Sequence, residues 1–426
     1  MSILIENASY VVTQDKNRRI LRDVDIFIEN KTIENIGKKL KEKAEFVIDG
    51  RDKVVLPGLI NLHTHSAMTL FRGFEDDMNL FGWLNKIRPI EEKLRRKDLF
   101  LGSLIAIAEM IKSGTTSFLD MYFFPEETAK SVNDSGVRGF LSYPIIEDKF
   151  SREDRMSLAK AFIKKWKGKN RIYPSPAPHS IFLCSEETLQ KCNDISKKYS
   201  SILNIHVSET EKESNDSMKK FGMSPVSYLN KLKILSPKLV AAHSIWVSEK
   251  DMATMANAGV NVAHCPVSNM KLASGLAPVY QMKKLGVNVG LGTDSAASNN
   301  NLDLFEEMKI SVLLQKMKYG EAKIVSSQDA LDMATINGAR ALGMESLLGS
   351  IEKSKFADLI TVNLSKPHLQ PVHDIVSNLV YSANGSDVAD MIVDGKIVMN
   401  DRNLKTINEM ETLEKFESQV KNIFKR

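Results

Sequence analysis

Residues 57–65 read Pro57-Gly58-Leu59-Ile60-Asn61-Leu62-His63-Thr64-His65. A Pro-Gly break precedes a short apolar run, and two histidines one residue apart follow it. The run predicts a buried strand over 58–62. Side chains two apart on a strand share a face, so both imidazoles can reach one ion at the strand's end. The competing reading is a pair of histidines in a surface loop.

The chain beyond this point alternates short apolar segments with longer helical ones. Further strands are predicted at 117–121, 138–143, 171–175, 202–207, 239–243, 261–263 and 288–292. Helical segments fall between them at 98–112, 126–134, 153–166, 185–199, 224–233, 248–257 and 276–284. Eight such units predict an α/β fold, a (β/α)₈ TIM barrel with a parallel sheet. A doubly wound open sheet is the alternative, but no GxGxxG turn follows the first strand.

Both ends of the chain are strand-rich. Segments 3–12, 23–28 and 46–56 precede the Pro-Gly break. After helical material at 302–318 and 327–341, strands return at 357–362 and 391–398, the latter carrying an Asp394-Gly395 hairpin turn. The expected organisation is a small composite β-sandwich of 1–56 plus 350–406, a barrel over 57–349, and an amphipathic C-terminal helix over 407–426. A bare barrel needs roughly 250 residues, so 426 accommodate these additions.

Basic residues number 58 and acidic residues 53, both spread along the chain, for a net charge of +5. No basic run with interleaved aromatics occurs, so a nucleic-acid partner is not expected. The clusters Lys38 to Lys43 and Lys164 to Lys169 read as solvated faces. Cys184, Cys192 and Cys265 form no CxxC pair, and an odd count fits a reducing compartment. The first twelve residues lack a basic leader, and no apolar run approaches a membrane span. A cytoplasmic protein with no membrane partner is expected.

The chemistry sits at the strand ends. His206 closes the fifth predicted strand, His243 closes the sixth, and Asp294 follows the eighth. Each alone has a bland reading as a loop cap. In a closed barrel these ends share one mouth with His63 and His65. Imidazoles and one carboxylate then form a sphere suited to Zn²⁺, Fe²⁺ or Mn²⁺, with one position open to water. A bound dication lowers the pKa of water from 15.7 to about 7, which points to hydrolysis. Glu209, three residues past His206, is placed to carry protons; otherwise it is a helix-start glutamate. His264 and Cys265 are further potential ligands, but they read as shaping the loop after the seventh strand.

These motifs together carry a resemblance. The stretch 57–65, HVSET at 206–210, AHS at 242–244, HCPVSNMKLASG at 264–275 and GTDSAASNNNLDLFEEM at 292–308 resemble the amidohydrolase superfamily. More narrowly they look like deaminases of 5′-methylthioadenosine and S-adenosylhomocysteine, a group beside the triazine chlorohydrolases. The similarity covers nearly the whole chain. It implies one catalytic divalent metal per subunit, Zn²⁺ first among the candidates, held by His63, His65, His206 and Asp294. It further implies that Glu209 passes a proton to a purine ring, that His243 orients the attacking water, and that Asp294 accepts a proton from that water. The two-metal branches need a carboxylated lysine, commonly on the fourth strand, and the predicted strand 171–175 has none.

The resemblance extends to substrate contacts. His179 matches a histidine near the ring or ribose, and Glu91 matches the carboxylate that binds the ribose hydroxyls, with Glu92 as a rival. Trp83 matches an aromatic near the base, and Ser298 a polar contact at the metal mouth. Arg138 matches one arginine that holds the carboxylate of S-adenosylhomocysteine. A second arginine is missing from 141–145; Arg152 and Arg155 lie further on. The implied reaction is hydrolytic deamination of an adenine nucleoside, with a neutral 5′ substituent favoured. A guanine or cytosine deaminase, a triazine chlorohydrolase and a non-catalytic scaffold are the alternatives. The expected partner is a small-molecule nucleoside, in a protein that self-associates as a homo-oligomer.

Overall fold

The computed structural model describes residues 1–147, 154–169 and 171–425, and its fold is α/β. Eight parallel strands follow one another along the chain. They are Leu59–Thr64, Thr115–Met121, Arg138–Ile145, Ile172–Pro178, Leu203–Val207, Leu239–His243, Asn261–His264 and Asn288–Leu291. Each overlaps its predicted segment. The first four pair in sequence order in one sheet, and the last four in another. The sheets meet at two seams. Thr64 bridges Asp294 in parallel, with the Asp294 N–H donating to the His63 carbonyl at 2.9 Å. Ser180 bridges His206, whose N–H donates to the His179 carbonyl at 3.0 Å.

The strands pack tightly because small residues stand where backbones converge. A Cβ on Gly58 would lie 2.1 Å from the Thr116 side chain. A Cβ on Gly292 would lie 2.9 Å from the His63 backbone nitrogen and 3.1 Å from the Cys265 sulfur. Glycine at 292 thus lets the end of the eighth strand approach His63.

Helices cover the parallel strands. The predicted helix at 327–341 breaks at Thr335 into Ser327–Ala334 and Ile336–Ala341. Helices at Leu80–Glu91, Glu211–Phe221 and Pro266–Lys271 add to the predicted set. The first contains Pro89, which hid its pattern, and the second has too few apolar residues to show a stripe. Among the described residues, no helix is long and apolar enough to cross a membrane.

The two chain ends build two more sheets. One pairs Ser2–Ala8 with Val24–Glu29 and Phe46–Asp49, and adds Thr32–Gly37, a strand too polar to be read from the sequence. The other joins Tyr10–Val12, Ile20–Leu21 and Lys53–Pro57 to Leu359–Asn363, Val388–Val393, Lys396–Asn400 and Asn403–Leu404. Ile5, Ile26, Val55, Leu359 and Ile392 from both sheets share one apolar cluster. At the hairpin, Asp394 and Gly395 both have positive φ, 53° and 70°, as a type I′ turn demands.

The C-terminal helix Glu409–Ile423 lies along helix Arg96–Lys112. Gln419 donates to Asp98, and Lys112 pairs with Glu409 at 2.8 Å. Ile423 joins Phe71, Trp83, Leu99 and Tyr122 in one buried cluster. The chain's end therefore supports the helix that carries Trp83 and Glu91.

Candidate active site

The predicted ligands converge where the parallel strands end. Ligand atoms of His63, His65 and His206 lie within 4.8 Å of one another, and so do those of His63, His243 and Asp294. Asp294 Oδ1 is 3.3 Å from His65 Nε2 and 3.7 Å from His63 Nε2. His264 and Cys265 belong to neither cluster.

A second ring nitrogen fixes the orientation of His65, His206 and His243. His65 Nδ1 meets the Met121 carbonyl at 2.5 Å, and His206 Nδ1 meets the His179 carbonyl at 2.9 Å. A carbonyl only accepts, so both rings carry the proton on Nδ1 and leave the Nε2 lone pair free. His243 Nδ1 faces the Asn269 side-chain oxygen at 2.9 Å, which imposes the same tautomer. Asp294 Oδ2 accepts from Ser268 at 2.6 Å and Oδ1 from the Ser295 N–H at 2.8 Å.

These residues fit a divalent ion. His63 is fully buried, and neither ring nitrogen has a hydrogen-bond partner among the described residues. Orphaned nitrogens of that kind need an explanation, and a bound ion supplies one for Nε2. Burial drives the pKa values of His63 and His206 well below the ordinary imidazole range, so both are neutral ligands at pH 7. Burial alone would raise the Asp294 carboxyl, but the surrounding His65, His63 and His243 outweigh it and keep Asp294 ionised.

Backbone strain collects here. His243, Ser244, Asp294 and Ser208 all have positive φ, between 48° and 67°. Each such non-glycine residue costs of order 1–3 kcal/mol and persists only where its surroundings hold it. Here the strained residues stand at or just past the ends of the parallel strands.

Glu209 stands beside the cluster without joining it, its carboxylate 3.9 Å from His243 Nε2. Burial raises its pKa, and His243 opposes that shift. For His243 burial acts downward, but the Glu209 and Asp294 carboxylates prevail and its pKa is raised. A carboxyl whose pKa is raised, next to an imidazole whose pKa is raised, is a proton-transfer pair.

The remaining predicted residues divide. The His179 ring stacks on His206 with centroids 4.4 Å apart, and burial pushes its pKa down to about 3. Glu91 accepts from the Tyr122 hydroxyl at 2.6 Å, and Tyr122 lies 6.4 Å from the His65 ring. Trp83 is buried in the cluster that contains Tyr122, and its indole N–H has no partner among the described residues. Ser298 sits behind Asp294, bonded to Ser268 and Ser295 at 2.9 Å each.

Arg138 is not at this site, which corrects the sequence-based expectation. It is the first residue of the third parallel strand, whereas the ligands cluster where the strands end. Its guanidinium is buried in a bidentate pair with Asp358, both bonds 3.0 Å. Arg152 lies outside the described residues. Arg155 rests over the Phe123 ring, 5.3 Å from its centroid.

Sequence reasoning missed Asp120, Asn269 and Glu213. Asp120 sits near the end of the second strand and accepts from the Thr64 hydroxyl and the Ser66 N–H. The strand-end rule that found His206 and His243 would have found it too.

Comparison with known proteins fits this geometry. Residues 54–398 match the amidohydrolase family. A 5′-deoxyadenosine deaminase of Methanosarcina mazei is 46% identical over 429 residues, covering 100% of this chain and 99% of that one. A 5-methylthioadenosine/S-adenosylhomocysteine deaminase of Caldanaerobacter subterraneus subsp. tengcongensis is 41% identical, with coverage of 100% and 99%. The crystal structure of an adenosine deaminase from Xanthomonas campestris with bound zinc aligns with a TM-score of 0.96 at 31% identity, covering 100% of this chain and 99% of that one. By sequence over its full length and by its histidine- and aspartate-lined site, the chain belongs to the amidohydrolase family.

Proposed function

We propose that this chain is a hydrolytic deaminase of adenine nucleosides that uses one divalent ion, Zn²⁺ first among the candidates. The observation that carries the reading is the convergence of His63, His65, His206 and Asp294 beside the Glu209–His243 pair. An ion held there would supply a coordinated water whose pKa lies near 7. Glu209 is the group that gives a proton to the purine ring. His243 and Asp294 hold and accept protons on the other side of the same space.

The substrate contacts follow from the walls. Glu91 is positioned by Tyr122, and a carboxylate accepts from both ribose hydroxyls. The unpartnered Trp83 N–H and the buried His179 ring offer contacts to the nucleoside. Arg138 is spent on Asp358, which removes one group that would bind an amino-acid carboxylate. We therefore favour 5′-deoxyadenosine, 5′-methylthioadenosine or adenosine over S-adenosylhomocysteine. The Methanosarcina relative is named for 5′-deoxyadenosine, and the Caldanaerobacter relative for both 5-methylthioadenosine and S-adenosylhomocysteine.

We further infer that the eight parallel strands close as a (β/α)₈ barrel over 57–349, on the two seams described above. The terminal sheets, 1–56 and 350–406, form a composite β-sandwich, and 407–426 is a separate closing helix. Three free, buried cysteines suit a cytoplasmic setting.

The test is ultraviolet monitoring of metal-replete protein with 5′-methylthioadenosine and 5′-deoxyadenosine, with ammonia measured in parallel. The expected result is a shift from adenine to hypoxanthine absorbance with matching ammonia. No change, with metal confirmed in the protein, overturns the reading and moves the search to guanine, cytosine and chlorotriazine substrates.

A further inference from the structure

A cavity of about 380 Å³ opens at the opposite end of the parallel strands from the histidines. The fourth strand, Ile172–Pro178, spans seven residues, about 20 Å of extended chain. Arg171 stands before its start and His179 after its end, so the two sites are separate.

Five cations line this cavity: Lys31, Arg138, Lys167, Lys169 and Arg171. Two carboxylates face them. Asp358 is fully engaged by Arg138. Asp394 lies 3.5 Å from Lys31 and 3.6 Å from both Arg138 and Arg171, beyond good hydrogen-bond length in each case. Five cations against two carboxylates leave an excess of three positive charges.

Arg171 is largely buried yet incompletely paired. Its side chain is 10% exposed, and its Nε–H is buried without an acceptor among the described residues. Its φ is +53°, in the left-handed region. Buried charges in folded proteins are paired, and a buried orphan donor points to a ligand or ion. The Ser201 hydroxyl, also on the cavity wall, is buried and unpartnered as well. Lys167 is held by its bond to the Tyr199 carbonyl at 2.9 Å, which leaves its charge unneutralised.

The lining also includes aromatic rings. Tyr173 stacks on Phe140 with centroids 4.4 Å apart and planes 10° from parallel. The volume falls within the range of about 300–1,000 Å³ usual for small-molecule sites.

We propose that this cavity binds a phosphorylated small molecule, its phosphate among Arg171, Lys167 and Lys169 and its organic part against Tyr173. Guanidinium and ammonium groups suit a phosphate dianion, and the stacked rings suit a planar or apolar body. The proposal does not depend on the deaminase reading.

The experiment is isothermal titration calorimetry of the full-length, metal-loaded protein against phenyl phosphate and against inorganic phosphate at low ionic strength. Phenyl phosphate is expected to bind once per chain and more tightly than inorganic phosphate. R171Q and the double variant K167A/K169A should each weaken it by about tenfold or more, the usual loss of a charge-assisted hydrogen bond. Lys167 and Lys169 are exposed, so the double variant keeps the test valid if R171Q fails to fold. No heat from phenyl phosphate with the wild-type protein overturns the site. Binding unchanged in the double variant also overturns it, and places the anion elsewhere, such as at the metal. Equal affinity for the two probes means an adventitious ion only and overturns the organic part of the proposal.

Discussion

The carboxylate of Glu213 accepts a hydrogen bond from the backbone N–H of Glu209 at 2.8 Å. Glu213 is the third residue of helix Glu211–Phe221, and the hydroxyl of the capping Thr210 accepts its N–H at 3.2 Å. In an ordinary capping box the third-position carboxylate returns to the cap's own N–H. Here it reaches one residue further back and takes hold of Glu209. On the other side the Ser208 carbonyl accepts from Ile245 and Trp246, at 3.0 and 2.9 Å. Glu209 is pinned between these two anchors.

Replacing Glu213 therefore tests placement and leaves the chemistry intact. E213A should lower kcat by roughly 10- to 100-fold, the scale of a small misplacement of a reacting group, with KM nearly unchanged. E213Q keeps an acceptor oxygen for the Glu209 N–H and should recover most of that loss. Steady-state kinetics on both variants would decide. An effect confined to KM, or no recovery with glutamine, would show that the bond does not position Glu209.

The same carboxyl makes stability depend on pH. Burial pushes its pKa up from 4.5 to about 7; the Glu209 N–H opposes this, and the nearby Glu209 carboxylate adds to it. Between those values the folded chain keeps a proton that the unfolded chain has lost. Stability should therefore fall as pH rises from about 4.5 to about 7 and level off above that. E213Q cannot ionise and lacks this slope. The wild-type stability measured relative to E213Q should decline across that window by at most about 3 kcal/mol, at 1.4 kcal/mol per unit. Urea unfolding of both proteins along the pH series would measure it. A relative stability that rises with pH would mean that the carboxylate is ionised in the fold.

The site histidines and Asp294 could be read from the sequence because one rule placed them: a polar residue at or just past the end of an apolar strand stands where the other parallel strands end. His63, His206, His243 and Asp294 all obey it. The rule also exposes the error at Arg138. Resemblance gave that arginine a substrate role, but it is the first residue of the third strand, and its side chain is engaged by Asp358 at the far end from the histidines. The orienting partners were hidden for a different reason. Asn269 meets His243 only because helix Pro266–Lys271, after the seventh strand, lies beside the end of the sixth, a tertiary fact without local signature. Thr32–Gly37 escaped notice because sheet pairing, not its own polar sequence, makes it a strand.

Glu209 itself should separate metal binding from turnover. It stands outside both ligand clusters, so E209Q should retain the ion. Loss of a positioned acid commonly costs about 10²-fold or more, and kcat should fall by at least that. Metal analysis and ammonia release on the same sample would check both halves. Near-normal turnover would remove Glu209 from the mechanism.

One ion per chain is expected. The fourth strand, Ile172–Pro178, contains no lysine to bridge a second ion, and Lys167 and Lys169 line the cavity at the other end. A chelator should abolish activity, and Zn²⁺ should restore it at a stoichiometry of one. H63A should bind the ion weakly under the same conditions, because the ring removed is the one with no other partner. Two ions per chain in the active protein would show that another residue bridges them.

Arg138 now makes a stability prediction. R138A leaves Asp358 buried without its bidentate partner, and breaking a buried ion pair in this way costs about 3–5 kcal/mol. Asp394, already short of hydrogen bonds, loses one of its three cations in the same step. The unfolding midpoint of R138A should drop accordingly. The ratio of kcat/KM for 5′-methylthioadenosine to that for S-adenosylhomocysteine should stay at its wild-type value, because the guanidinium lies at the far end of its strand from the histidines. A selective loss of activity on the homocysteine conjugate, in protein that remains folded, would return Arg138 to the substrate. Unchanged selectivity with reduced stability is the outcome its pairing with Asp358 requires.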